Sequence, residues 1–380
     1  MTDPLGTHAV PALTASEKYA GSQHVGVLPM GCIQCREGAK LVLFVTGLCD
    51  KECFYCPVSR DKMYRDVVYA NERPVHIGEW DGLIEEAELI GAKGAGITGG
   101  DPMVVPDRVV DLCKRMKAQF GPEFHLHLYT SCAFDTVWIG RLKEAGLDEI
   151  RFHPEVREYA DMENGWHHEA IQEALRVGLT TNVEIPCIPD KGEEILAMCR
   201  YLEKVGAQGL NMNELEFSDP NVKNLRRFGY EPMNDESQSV KGSRETALWI
   251  LDEWRKTGSK FTVHFCSSPY KDAIQLMQRL RRRAERTARD FEEQSEEGTL
   301  LYGVIRSNTG ESPGEIAEML RADFEVPLEW VAVIDDHVET SPSVVQVLAE
   351  EGVLEALNAS GEICEVYPTA DRVMVERTPL

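Results

Sequence analysis

From residue 40 onward the chain alternates short apolar runs with longer amphipathic stretches. The runs at 41–45, 94–98, 124–129, 149–152, 180–185 and 210–217 are short and mostly rich in β-branched or aromatic residues, which predicts strands. Between and after them, 76–90, 106–120, 136–145, 167–177, 193–205 and 244–256 carry apolar residues at helical spacing. In the first of these, Ile77, Trp80, Leu83, Ile84, Ala87 and Ile90 mark one face. Gly91, Gly146, Gly178 and Gly206 stand where helices stop, and Pro106 suits a first helical turn. Six strand–helix cycles with right-handed crossovers predict six parallel strands. The fold class is therefore α/β, a partial (β/α)6 TIM-like barrel. A complete eight-stranded barrel is the competitor, and 263–266 offers one further strand.

Other stretches break the rhythm. Residues 60–74 are charged and read as a covering loop, and 219–242 is an insertion rich in Asn, Pro and Ser. That insertion is either a substrate lid or a solvated connection. Residues 270–290 read as a helix carrying Lys271, Arg279, Arg281, Arg282, Arg283, Arg286 and Arg289. Such a run either faces an anionic ligand or is a solvated face paired with local Glu. From 298 the pattern becomes strand 299–305, helix 313–321, strand 330–334, helix 342–357 and a hairpin over 363–367 and 372–375, a small C-terminal α+β appendage. The expected organisation is an irregular N-terminal arm over 1–39, the barrel with its basic helix over 40–297, and the appendage over 298–380.

Composition narrows the class. The 380 residues carry 40 basic and 64 acidic side chains, a net charge of −24, which disfavours broad binding to nucleic acid or anionic lipid. No apolar stretch approaches the length of a membrane span, and the N-terminus lacks the basic-then-apolar plan of a signal peptide, so the expectation is a cytoplasmic protein without a membrane partner. Eleven cysteines in that setting read as metal or redox ligands plus buried thiols rather than a disulfide framework.

The chemistry concentrates at Leu48-Cys-Asp-Lys-Glu-Cys-Phe-Tyr-Cys-Pro57. Cys49, Cys53 and Cys56 stand at C-x3-C-x2-C spacing in a polar loop after the first strand, at the edge where α/β barrels bind ligands. Three such thiols suit an iron–sulfur cluster, which usually takes four Cys, so three would leave one iron open. A closed zinc site needs a fourth ligand, and the next His or Cys is His76. Cys32 and Cys35, at C-x2-C spacing before the first strand, offer a second metal site with Cys266 as a distant partner; the alternative is buried thiols.

The cysteine loop with Tyr55 before its last Cys, followed by Gly94-Ala-Gly-Ile-Thr-Gly-Gly-Asp-Pro102, resembles the signature of the radical S-adenosylmethionine (SAM) superfamily. There a strand leads into Gly-Gly-Glu-Pro, which holds the amino group of the cofactor's methionine; here Asp101 replaces Glu. The resemblance spans roughly 40–266. Residues 185–190, Ile-Pro-Cys-Ile-Pro-Asp, are similar to the strand-to-loop segment of the branch that includes the pyruvate formate-lyase activating enzymes.

The resemblance implies a [4Fe-4S] cluster on Cys49, Cys53 and Cys56, with SAM on the open iron. One electron, from a donor such as ferredoxin or flavodoxin, would cleave the sulfonium to a 5′-deoxyadenosyl radical that abstracts hydrogen from a substrate. It implies cofactor contacts from Tyr55, Gly99, Gly100, Asp101, Ser131 and Glu184. Thr130, His153, Asn182, Asn213 and Glu214 are further polar candidates, and Cys132 and Cys187 are strand-end thiols. No catalytic residue and no substrate is singled out. The alternative from another class is a non-catalytic iron–sulfur or zinc protein, an electron carrier or scaffold.

Overall fold

The computed structural model describes residues 20–235 and 237–380. Residues 1–19 of the expected arm lie outside the described residues. Ten strands form one sheet: β1 (Gln23–Val25), β2 (Lys40–Phe44), β3 (Val68–Ala70), β4 (Arg73–Val75), β5 (Gly94–Thr98), β6 (His125–Thr130), β7 (Glu149–Phe152), β8 (Thr180–Cys187), β9 (Gly209–Glu214) and β10 (Thr262–Cys266). Their order is β1-β10-β9-β8-β7-β6-β5-β2-β3-β4. Strands β2 and β5 to β10 are mutually parallel, and β1 and the β3–β4 hairpin add antiparallel margins at opposite ends. The barrel is partial, as the sequence pattern predicts, with β10 as a seventh parallel strand. The 60–74 segment is more than a cover: it contains the β3–β4 hairpin, turning at Asn71, whose φ of 53° lies in the left-handed region.

The helices in chain order are α1 (Met30–Arg36), α2 (Asp81–Leu89), α3 (Pro106–Phe120), α4 (Val137–Glu144), α5 (Trp166–Arg176), α6 (Gly192–Val205), α7 (Val222–Arg227) and α8 (Ser243–Lys256). Strand alternation explains the layering. Leu41, Leu43, Ile97, Leu126, Leu128, Ile150, Phe152, Val183, Leu210, Met212 and Val263 join the helices in one hydrophobic core. The opposite faces carry Lys40, His125, His127, Tyr129, Glu149, Arg151, Asn182, Glu184, Asn211, Asn213 and His264, which line a polar lumen rather than the branched aliphatic interior usual in such barrels.

Burial forces these groups to pair. Arg151 donates from Nε to Glu149 at 2.6 Å and from Nη1 to Glu184 at 2.7 Å. Lys40 Nζ lies 3.1 Å from Gln34 Oε1 and 2.7 Å from both Nδ1 and the carbonyl oxygen of His125. Helix α1 closes the lumen: Gly31 sits against His127, Arg151 and Glu149, and Arg151 Nη2 donates to Cys32 Sγ at 3.4 Å. Residues 23–36 are thus part of the barrel rather than an irregular arm.

After β10 a six-residue π-helical segment, Lys271–Leu276, leads into α9 (Met277–Thr287). The second sheet contains β11 (Glu293–Gln294), β12 (Leu300–Ser307), β13 (Val331–Ile334), β14 (His337–Thr340), β15 (Ala359–Val366) and β16 (Met374–Pro379), all antiparallel. One face packs on α10 (Pro313–Ala322), α11 (Pro342–Glu350) and α12 (Val353–Ala356), the other on Ala284 of α9. The single helix expected over 342–357 breaks at Gly352, whose φ is 70°.

Most arginines of the basic run, on α9 and just after it, are spent on contacts within the chain, while Arg286 stays exposed. Arg279 pairs with Glu72, Arg282 caps the carbonyls of Ile90 and Gly91 at the end of α2, and Arg289 pairs with Glu292 and Glu339. Buried Arg283 joins Glu86 of α2 to the carbonyl of Pro368 in the second sheet's domain. The run joins the barrel to the C-terminal domain.

Two expectations follow. Arg283→Ala leaves Glu86 buried beside Asn71 alone and lowers stability by ~3 kcal/mol or more in urea unfolding, whereas exposed Arg286→Ala stays within about 0.5 kcal/mol. Burial brings Lys40 down to about 7, against about 10.4 unfolded, so between these values the unfolded chain binds the extra proton and stability rises with pH. The unfolding free energy of the native protein minus that of Lys40→Met therefore climbs from pH 7 toward 10 by up to ~1.4 kcal/mol per unit, and a flat difference refutes the assignment.

Candidate active site

At the C-terminal edge of the parallel strands the backbone makes four adjoining loops. The cysteine loop follows β2, the glycine pair follows β5, Ser131 and Cys132 follow β6, and His153 follows β7. The cysteine loop is held at its base. Arg108 Nη1 donates to the carbonyl of Val45 and to Asp66, each at 2.7 Å, and Thr46 Oγ1 donates to Asp66 at 2.9 Å. Nothing in the local spacing announces this Arg108–Asp66 clamp, because its members are 42 positions apart.

Gly99 and Gly100 serve the cysteine loop. Gly100 N donates to Thr46 O at 2.7 Å and Asp101 N to Leu48 O at 2.8 Å. A Cβ on Gly99 would come under 3.0 Å from Thr46 O, and one on Gly100 under 3.0 Å from Leu48 O and Gly47 O. The pair is glycine because two loops press backbone against backbone here.

Asp101 is 1% exposed and its carboxylate is fully engaged. Oδ1 accepts from Met103 N at 2.8 Å and Thr130 Oγ1 at 3.0 Å; Oδ2 accepts from Ser131 N at 2.6 Å and Cys132 N at 2.8 Å. A carboxylate has about four acceptor sites, and all are taken. Contact with the cofactor's amino group through this side chain, as the resemblance implies, is therefore replaced by a bracing role: Asp101 caps the turn at Pro102–Val104 and fixes the loop after β6. The shorter carboxylate explains the reach, since it folds back on its own turn.

Tyr55 is buried, and its hydroxyl lies 2.9 Å from His153 Nε2, while His153 Nδ1 lies 2.7 Å from Glu184 O. The carbonyl can only accept, so Nδ1 donates and Nε2 accepts from Tyr55. Burial keeps His153 below its usual range, hence neutral, and pushes Tyr55 well up. This chain of bonds ties the cysteine loop to β7 and β8. Phe54, beside it, packs on Phe228 (4.5 Å between ring centroids) and Tyr230 (6.2 Å), and Asn221 Nδ2 donates to Tyr55 O at 3.0 Å. The 219–242 insertion thus covers the cysteine loop. Glu184 is inside the lumen with both oxygens paired, to Arg151 and to Asn213 at 2.9 Å. Ser131 Oγ is buried at the mouth without a partner.

The three loop thiols are half-buried, and their environments differ. Burial raises Cys53 to about 11 and also raises Cys56. Cys49 is drawn down, chiefly by its hydrogen bond with Cys132, and Lys51 N points at its sulfur from 3.4 Å. Cys132 also lies 2.5 Å from Asp50 Oδ1, so Cys49, Asp50 and Cys132 converge within 4.8 Å. This strand-end thiol belongs to the site. Cys187 is buried in the main core instead. The donor set fits an iron–sulfur cluster: the three half-buried thiols share one loop and need not crowd around a single ion, because each would bind its own iron. Cys32 and Cys35 are both pushed up by burial (Cys32 to about 12); among the described residues the groups of three ligand atoms within 4.8 Å of one another are Cys49/Asp50/Cys132 and His125/His127/Glu149, and neither includes them.

Comparison with known proteins agrees with this geometry. The Radical SAM superfamily matches residues 43–202. A Methanocaldococcus jannaschii protein provisionally named a glycyl-radical enzyme activating enzyme is 39% identical over 374 residues, 96% of each chain. The chain belongs to the radical SAM superfamily. It is an enzyme of the kind that works with a [4Fe-4S] cluster and SAM. Residues 298–380 match a domain of unknown function, DUF8061. Among solved structures, Streptococcus suis SuiB bound to S-adenosylmethionine aligns over 60% of this chain and 50% of its own (TM-score 0.42, 11% identity), and methylornithine synthase over 58% and 66% (TM-score 0.39, 13% identity). The fold rests on this chain's own strand order. Among the described residues no helix is long and apolar enough to cross a membrane.

Gly100→Ala drives the two loops apart and lowers the iron bound per chain after anaerobic reconstitution, to roughly half of native or less. Gly140→Ala, on α4 with open space around it, leaves iron content unchanged. Equal iron in both variants would refute the role given to the glycine pair.

Proposed function

We propose that Cys49, Cys53 and Cys56 hold the cluster and that Gly99, Gly100 and Asp101 set the shape of the mouth against which SAM lies. The observation that supports this most is the bonding of the glycine pair and Asp101 to the cysteine loop and to the loop after β6 at once. Bound there, the cluster and SAM supply a one-electron cleavage that yields an organic radical able to take hydrogen from a C–H bond. The chain's own residues position and exclude. Tyr55 and His153 hold the loop rigid, Phe54 with Phe228 and Tyr230 shields it from water, and Ser131 Oγ offers a polar contact. The electron comes from an external reductant such as ferredoxin or flavodoxin.

For the substrate we take the class named in the M. jannaschii relative, a glycine of a partner polypeptide that becomes a glycyl radical. The 39% identity over nearly the whole of both chains supports this reading.

The reconstituted protein, given dithionite and SAM without oxygen, forms 5′-deoxyadenosine, read by mass. A variant with Cys49, Cys53 and Cys56 changed to Ala forms none. A cluster confirmed by spectroscopy with neither SAM binding nor product would refute the assignment. Added synthetic peptides carrying α-dideuterated glycine are expected to pass deuterium into 5′-deoxyadenosine. Product without deuterium would count against the glycine substrate alone.

A further inference from the structure

Inside the lumen, away from the cysteine loop, a cavity of about 10 Å³ lies between the lower ends of β8, β9 and β10. It has room for one water-sized species. The hole exists because Gly209 has no side chain: a Cβ there would lie 3.1 Å from Asn182 Oδ1 and 3.1 Å from Thr262 Cβ. Asn182, Asn211 and His264 line it, and each presents one buried polar atom without a partner: Asn182 Oδ1, Asn211 Oδ1 and His264 Nδ1. These residues are 2%, 8% and 3% exposed.

The surrounding bonds fix what these three atoms are. Asn182 Nδ2 donates to Glu149 Oε1 at 2.8 Å, so the atom turned to the cavity is its oxygen. Asn213 Nδ2 donates to Glu184 Oε1 at 2.9 Å, leaving Asn213 Oδ1 to accept from Asn211 Nδ2 at 3.4 Å; Asn211 therefore also shows oxygen. Ser22 Oγ gives its hydrogen to Phe265 O at 2.8 Å, so at 3.1 Å it must accept from His264 Nε2, and Nδ1 keeps its lone pair. Burial holds His264 near 3, so it stays neutral. All three free atoms are acceptors.

A water molecule has two hydrogens to give and leaves one acceptor bare, which is costly in a buried site. Charge points the same way. Arg151, which also lines the cavity, stands between Glu149 and Glu184, two carboxylates against one guanidinium. Lys40, brought down to about 7 by burial, is neutral above that pH and turns to Gln34 and His125. Cys32, also at the wall, is a protonated thiol and so a weak donor. The site lacks one positive charge and three hydrogen-bond donors on a single small atom.

We propose that this cavity binds one free ammonium ion. A monovalent metal ion has the charge but needs more oxygens than three.

The test uses the reconstituted protein and its thermal midpoint at matched ionic strength. Ammonium chloride is expected to raise the midpoint by a few degrees above potassium chloride and tetramethylammonium chloride. Gly209→Ala, whose Cβ fills the hole while keeping the acceptors, is expected to abolish that increment. Equal midpoints in all three salts would overturn the proposal and leave water as the occupant, and a potassium effect equal to that of ammonium would overturn it as well. Methylammonium, too large for the hole, is expected to give no such increment, and an effect equal to that of ammonium would overturn the proposal. Independently of any variant, 15N-labelled ammonium is expected to give a slowly exchanging signal with the native protein, and its absence also overturns the proposal.

Discussion

The Asp101 carboxylate receives hydrogen bonds from its own turn and from the loop after β6, while its backbone is bonded to the cysteine loop. Three segments distant in sequence thereby share one rigid contact, and the glycines before it let that contact close. A buried carboxylate with every acceptor site filled is held in one orientation. The position of the thiols relative to the loops after β5 and β6 is inherited from it, as is the placement of Ser131.

Below the mouth pairing governs much of the lumen as well, although acceptors outnumber donors there. Packing this barrel with aliphatic side chains would have needed no partner groups. A polar interior needs every donor to meet an acceptor, and that demand explains features otherwise unrelated: the Arg151 bridge, the Lys40–Gln34 bond and the floor helix α1 with its close approach at Gly31. The arginines of α9 do a corresponding task outside, where Arg283 satisfies Glu86 and a carbonyl of the C-terminal domain together.

Much of this was legible in the residues. Apolar periodicity located the parallel strands and helices, and C-x3-C-x2-C followed by Gly-Gly-Asp-Pro located the mouth. The rest depended on contacts between distant positions. The β3–β4 hairpin was hidden in a charged stretch, because short edge strands carry little alternation. The basic run of α9 looked solvated, since the carboxylate and carbonyl that meet Arg283 lie 197 and 85 positions away. Asp101 had the right type and place for a cofactor contact, and only its saturated geometry reassigns it. Cys132 joined the site through Cys49 and Asp50, 83 and 82 positions earlier, a partnership no local spacing encodes.

The pairing of β1 with β10 carries a consequence for how the chain is made. Gln23 meets Phe265 and Val25 meets Val263, so the first described strand must wait for nearly the last barrel strand. Contacts of such sequence separation form late and slow a fold, because the intervening loop entropy is spent before they repay it. During synthesis β1 therefore has no strand to pair with until β10 has emerged, although the seat of α1 on β2, β5 and β6 is already made. Until then the β9 edge of the sheet is unpaired, and the lumen is complete only when the last parallel strand has joined.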